Sequence, residues 1–153
     1  NDTLNFTELV KKQKEYTSVG LRITYTLNSL EAIKKNPIIG VGTGDFPSEY
    51  HKISQINTPH LINQVGYATH PHNMYTLITM QLGLIGLVSM LSIFYYQIKL
   101  SFYASNRFIK DVGITLPLVF LVIMLSDSYL LGHYTTLVFV FFSSFLYKDF
   151  EES

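Results

Sequence analysis

The chain has 153 residues with 11 acidic and 11 basic side chains, so its formal net charge is zero. That balance excludes a polybasic nucleic-acid binder and an acidic solvating tail. The absence of cysteine excludes a disulfide framework, a thiolate metal site and a cysteine nucleophile.

Only 14% of residues are charged, against about 25% in an ordinary soluble domain. They are unevenly spread. Residues 1–73 hold 13 of the 22, residues 74–147 hold five, and the short tail 148–153 holds the rest. The chain therefore divides into a polar region, an apolar region and a tail.

Within the polar region, residues 18–35 predict a helix. Ser18 can cap its start, and Lys34 and Lys35 suit the negative end of its dipole. Asn36-Pro37 ends it, because proline lacks a backbone donor and restrains the residue before it. Ile23, Leu27 and Leu30 form an apolar stripe at helical spacing. Arg22, Thr26 and Ser29 fall on a different, polar stripe. Arg22 is the only arginine in residues 1–73.

Next comes Pro37-Ile38-Ile39-Gly40-Val41-Gly42-Thr43-Gly44-Asp45-Phe46-Pro47. Glycines at alternate positions free the backbone for conformations closed to other residues. Their spacing matches neither a dinucleotide fingerprint nor a P-loop. Two readings stay open: a rigid loop holding neighbouring helices in register, or direct substrate contact at Gly40, Gly42 and Gly44. Pro47 predicts that no helix follows the glycines directly, and residues 51–69 read as loop.

The polar region closes on Thr69-His70-Pro71-His72-Asn73. Proline favours the first helical position, which predicts His70 as the N-cap and His72 in the first turn. There the positive end of the helix dipole disfavours an imidazolium and keeps His72 neutral, as a general base must be. Asn73 is its candidate orienting partner. A histidine pair also suits a metal, but no carboxylate lies within a turn and His51 and His60 are scattered. No metal and no cofactor are expected.

Residues 74–98 carry no charge, and residues 112–147 carry only Asp127. About 20 apolar residues span a bilayer, so transmembrane helices are predicted at about 74–98, 112–129 and 131–147. The fold class is then an all-α membrane protein, with a helical loop region followed by about three spans. Lys99, Arg107 and Lys110 between the first two spans mark the cytoplasmic side. Residues 1–73 and the turn at 127–133 lie outside, and the tail returns inside. An acid near membrane depth is a functional suspect, yet an outer turn accounts for Asp127 and His133 equally well. Three spans after a polar region look like the C-terminal part of a larger membrane protein.

The helix bearing Arg22, the run Asn36-Pro37-Ile38-Ile39-Gly40-Val41-Gly42-Thr43-Gly44-Asp45-Phe46, and His70-Pro71-His72-Asn73-Met74-Tyr75 with Gln81-Leu82-Gly83 and Gly86-Leu87 form a pattern. It resembles the O-antigen ligase and polymerase superfamily over residues 18–87. The resemblance implies a metal-independent, inverting glycosyltransferase of the bacterial inner membrane, its active region facing the periplasm. Such an enzyme moves a glycan from undecaprenyl diphosphate onto an acceptor. In a ligase of lipopolysaccharide biosynthesis the acceptor is lipid A-core; in a polymerase it is another lipid-linked repeat.

By the same match His72 is the catalytic base and Arg22 contacts diphosphate, with His70, Asn73 and the loop glycines around the substrate. The sequence departs from the pattern in two places. Many members carry a tryptophan shortly after the arginine, where Tyr25 is the nearest substitute here. The upstream membrane helices of the same protein, expected to add a cationic group and a lipid groove, are not in this chain. A transporter or membrane scaffold is the alternative outside the enzyme class. The polar candidates cluster beside the first span rather than deep within it, which favours an enzyme.

Overall fold

The polar region is more helical than its sequence suggests. A computed structural model of the protein describes residues 16–67 and 70–148. Residues 1–15 and all of the predicted tail except Lys148 lie outside the described residues. Helix α1 spans Ser18–Lys35. Its cap is Thr17, one residue before the predicted Ser18, with extended backbone and an Oγ1 that accepts from the Gly20 N–H at 3.1 Å.

The buried face of α1 is largely polar: Thr24, Asn28, Ser29 and Ala32. Asn28 Nδ2 donates to Ser54 Oγ at 3.2 Å and to Thr58 Oγ1 at 3.0 Å. These bonds fasten α1 to helix α2, Phe46–Asn57. The apolar stripe Ile23, Leu27 and Leu30 is left exposed. The Asn28 bonds, together with packing of Leu21, Tyr25, Ala32 and Ile33 against the core, set the orientation of α1.

Helix α2 begins directly after the glycines, against the sequence expectation. Pro47 sits in its first turn, where a missing N–H costs nothing. Phe46, Tyr50 and Ile53 are buried on its inner face. A 3₁₀ turn at Pro59–Leu61 and the single turn α3, Ile62–Val65, replace most of the predicted loop and bury Leu61 and Val65.

The apolar region forms α4 at Met74–Tyr103, α5 at Arg107–Ile123 and α6 at His133–Lys148. No strand occurs among the described residues, so the described chain is all-helical. Among them α4 alone is long and apolar enough to cross a membrane. Helix α4 is held to α5 near its start, where Tyr75 Oη donates to the Leu121 carbonyl at 2.5 Å. It meets α6 further along, where Gln97 Nε2 donates to Ser143 Oγ at 2.9 Å.

Helix α4 is interrupted at Gly83, whose φ of 66° and ψ of −164° are not helical. The glycine loop inserts its backbone there. The N–H groups of Val41 and Gly42 donate to the carbonyls of Met80 and Gln81, both at 2.9 Å. The N–H groups of Leu84 and Ile85 donate in return to Pro37 and Ile38, at 2.8 and 3.2 Å. A Cβ on Gly83 would collide with the Ile38 carbonyl, and one on Gly40 with the Gln81 backbone. The two glycines are therefore required by a close crossing of two backbones.

Candidate active site

Three consecutive residues before and at the start of α4 are laced onto the turn after α5. The Met74 N–H donates to the Met124 carbonyl at 3.0 Å. Asn73 Nδ2 donates to the Leu125 carbonyl at 3.0 Å. His72 Nδ1 lies 3.2 Å from Asp127 Oδ1. The same carboxylate oxygen is 3.8 Å from His70 Nε2.

The local backbone corrects the predicted helix start. Asn73, not His70, is the N-cap: its Oδ1 accepts from the Thr76 N–H at 2.9 Å. Asparagine in extended conformation is the better cap. His72 precedes the helix with φ 51°, the one non-glycine residue of positive φ among those described. That left-handed conformation is uncommon outside glycine, though histidine tolerates it better than most. It keeps α4 from extending back through His72, whose imidazole lies beside Asp127. The side chain of Asn73 is committed to capping and to Leu125, so Asp127 is the partner of His72 in its place.

Asp127 was visible in the sequence as the lone charge in residues 112–147, but no sequence spacing linked it to residues 55 positions away. Burial raises its carboxyl; the Ser128 backbone N–H and the two imidazoles lower it, leaving it below the ordinary carboxylate value. Burial and the adjacent His72 push His70 below its ordinary value, against the pull of Asp127. At neutral pH the cluster thus holds an ionised carboxylate beside a neutral His70.

Tyr25 joins the cluster from α1. Its ring centroid is 5.5 Å from that of His72 and 6.0 Å from that of Tyr50, which stacks on Phe46 at 5.6 Å. The Tyr25 hydroxyl donates to the Gln64 carbonyl at 3.2 Å. An aromatic row therefore runs from the core of α2 to the imidazoles. Arg22 lies one turn before Tyr25 on α1 and is exposed. Residues three and four apart share a helix face, which groups Arg22 with Tyr25 and Thr26.

The other candidates sit elsewhere. His51 is on α2, bonded through Nδ1 to the Gly66 carbonyl at 2.9 Å. His60 lies in the 3₁₀ turn, and His133 begins α6 in an exposed position. Gly40 and Gly42 are engaged in the crossing with α4, whereas Gly44 has open space around it.

A cleft of about 380 Å³ opens beside the carboxylate, lined by His70, Asp127, Tyr129, Tyr134 and Thr135. A larger apolar groove of about 940 Å³ follows α1 past Val19, Ile23, Leu27 and Leu30, and Arg22 lies outside it. His70, His72 and Asp127 also present three ligand atoms within 4.8 Å of one another. Two imidazoles and a carboxylate make a plausible donor set for a zinc-like ion, so the cluster can serve either proton transfer or metal binding on chemistry alone.

Comparison with known families decides the class. The O-antigen ligase family matches the chain over residues 2–91, more than half of its length. The chain belongs to the O-antigen ligase family. No curated protein and no solved structure gives a match. The matched stretch of this O-antigen ligase family member contains α1, the glycine loop, α2, His70 and His72, and the first half of α4. Asp127 lies beyond it. Membership establishes an enzyme of the ligase and polymerase kind associated with the inner membrane.

Proposed function

We propose that the protein is an O-antigen ligase that transfers a glycan from undecaprenyl diphosphate to lipid A-core at the periplasmic face. The observation that carries this reading is the His72–Asp127 pair at the mouth of α4, in a chain of this family. A lipid-borne donor presents its diphosphate at the membrane surface, which is the depth of the first turn of a membrane-crossing helix. In this topology residues 1–73 and the turn at 127–133 face the periplasm, and Lys99, Arg107 and Lys110 the cytoplasm.

Asp127 accepts from His72 Nδ1–H, which fixes the tautomer with a free Nε2. Nε2 takes the proton of the acceptor hydroxyl as that oxygen forms its bond to the anomeric carbon. The bond from that carbon to diphosphate oxygen breaks in the same step, with inversion, and undecaprenyl diphosphate leaves. Diphosphate is a competent leaving group, so stabilising its growing negative charge is the remaining task. Arg22 does this with a planar fork that meets two phosphate oxygens at once, which a lysine cannot copy.

His70 flanks the donor in its neutral form. Asn73 supports His72 by capping α4 with its side chain, and the loop of Gly40, Gly42 and Gly44 acts at one remove, by locking onto α4. In this reading Asp127 serves to orient His72, and the reaction proceeds without a metal. The test is transfer by the full-length protein from lipid-linked glycan, offered either lipid A-core or a second lipid-linked repeat. Product on lipid A-core supports the ligase; elongation of the lipid-linked repeat alone makes it a polymerase.

A further inference from the structure

Residues 37–42 are pinned by backbone hydrogen bonds to α4; Val41 packs against the core, whereas Ile38 and Ile39 face away from it. Ile38 and Ile39 are 62% and 70% exposed. Around the crossing, Leu84, Ile85 and Val88 of α4 are exposed as well. No charged residue occurs between Lys35 and Asp45. The loop runs antiparallel to α4, with Pro37 and Ile38 against Leu84 and Ile85, and Val41 and Gly42 against Met80 and Gln81.

The depth of this crossing follows from α4. Counting about 20 residues back from Lys99, the first charge on α4, sets the outer edge of a ~30 Å hydrocarbon core near Thr79. At 1.5 Å per residue, positions 81–85 then lie roughly 3–9 Å inside that edge. Whatever surrounds α4 at that level also surrounds Ile38 and Ile39, because the loop cannot move independently of the helix it is bonded to.

The hydrogen bonding fits the same surroundings. A helix break in hydrocarbon is tolerated only where protein groups replace the lost helical bonds. Here Met80 O, Gln81 O, Leu84 N and Ile85 N all have partners in the loop, and Gly40 N bonds to Asn36 O at 3.0 Å within it. Lys34 and Lys35 stand just before the loop, where long stems can carry their charges up to the lipid phosphates.

We propose that residues 37–42 form a re-entrant loop that inserts Ile38 and Ile39 among the acyl chains of the outer leaflet. The loop thereby fixes the height of α1, and with it Arg22 and Tyr25, relative to the membrane surface. This inference rests on the reading of α4 as a bilayer-crossing helix.

These 153 residues hold no native cysteine, so once any cysteine elsewhere in the full-length protein is replaced by serine, each introduced cysteine is a unique label site. The full-length protein is reconstituted in phosphatidylethanolamine and phosphatidylglycerol vesicles with a nitroxide at Ile38→Cys, Ile39→Cys, Val88→Cys or Asn63→Cys. All four positions are exposed, so the label displaces no buried side chain. Collision with oxygen, which partitions into lipid, is compared with collision with a water-soluble nickel chelate.

The expected result is an oxygen-to-chelate ratio at Ile38 and Ile39 equal to that at Val88 and well above that at Asn63. A chelate-accessible loop beside a lipid-facing Val88 overturns the inference and leaves the span intact. A loop reached by neither reagent also overturns it, because protein rather than lipid then covers those residues. A chelate-accessible Val88 removes the span and the inference together.

Discussion

The ring of Tyr25 rests against the imidazole of His72, with centroids 5.5 Å apart. Helix α1 is thereby tied to the residue proposed as the base, and Arg22 is one turn away from that tie. Tyr25→Ala is expected to lower transfer by loosening α1 from His72, a contact worth about 0.5–1.5 kcal/mol beyond area burial. Tyr25→Phe keeps the ring and loses only the bond to Gln64, so it should retain most activity. Equal activity in both variants, measured by transfer at saturating donor, would show that the ring contact is idle.

Arg22→Lys tests the arginine separately. It keeps the charge and loses the two-pronged geometry, so donor affinity and turnover should fall while expression and membrane insertion persist. Wild-type kinetics in this variant would reduce Arg22 to a surface charge.

Gly83→Ala tests the backbone crossing. The residue has φ 66°, and its Cβ would meet the Ile38 carbonyl. Positive φ with ψ near 180° is essentially open to glycine alone and costs an L-residue about 1–3 kcal/mol, and the collision adds to it. The thermal midpoint in detergent should drop clearly. Gly44→Ala, with open space and no positive φ, should leave it unchanged. A midpoint unaffected at Gly83 would mean that the loop does not interrupt α4.

Acid should loosen the cluster, and the direction is fixed by His70. Its folded pKa lies below the ordinary 6.5, so near and below that pH the unfolded chain binds more protons than the folded one. Stability therefore rises with pH across this window and is lost as pH falls through 6.5. Asp127, lowered from 3.8, contributes above that value and loses its contribution only as pH falls through its folded value. His70→Gln should flatten the upper part of the dependence, as read by thermal unfolding over a pH series. An unchanged slope in that variant would assign the effect elsewhere.

Much of this was legible in the sequence. The bounds of α1 follow from Lys34, Lys35 and Asn36-Pro37, and the long apolar run announces α4. His72 and Arg22 stand out by residue type and position. Three features were not legible. The exposure of Ile23 and Leu27 follows from α1 turning another face inward, with Asn28 bonded to Ser54 and Thr58 and with Leu21, Tyr25, Ala32 and Ile33 on the core, a tertiary choice that overrides the hydrophobic stripe. The break at Gly83 depends on a loop more than 40 residues earlier supplying the missing backbone bonds. The pairing of His72 with Asp127 depends on α4 and α5 folding against each other, and on a left-handed backbone at His72 that proline and asparagine on either side did not reveal.

The central claim is that His72 is the general base and that Asp127 orients it. Single-turnover transfer from lipid-linked glycan, with wild type, His72→Ala, His70→Ala, Asp127→Asn and Asp127→Glu, tests it directly. His72→Ala should lose about 10²–10⁴-fold in rate, the range supplied by a general base, with donor binding retained. Asp127→Asn should lose a large part of the same factor, Asp127→Glu should recover some of it, and His70→Ala should cost less. A chelator should leave the wild type unaffected. Normal transfer by His72→Ala, or arrest of the wild type by chelation, would contradict the account.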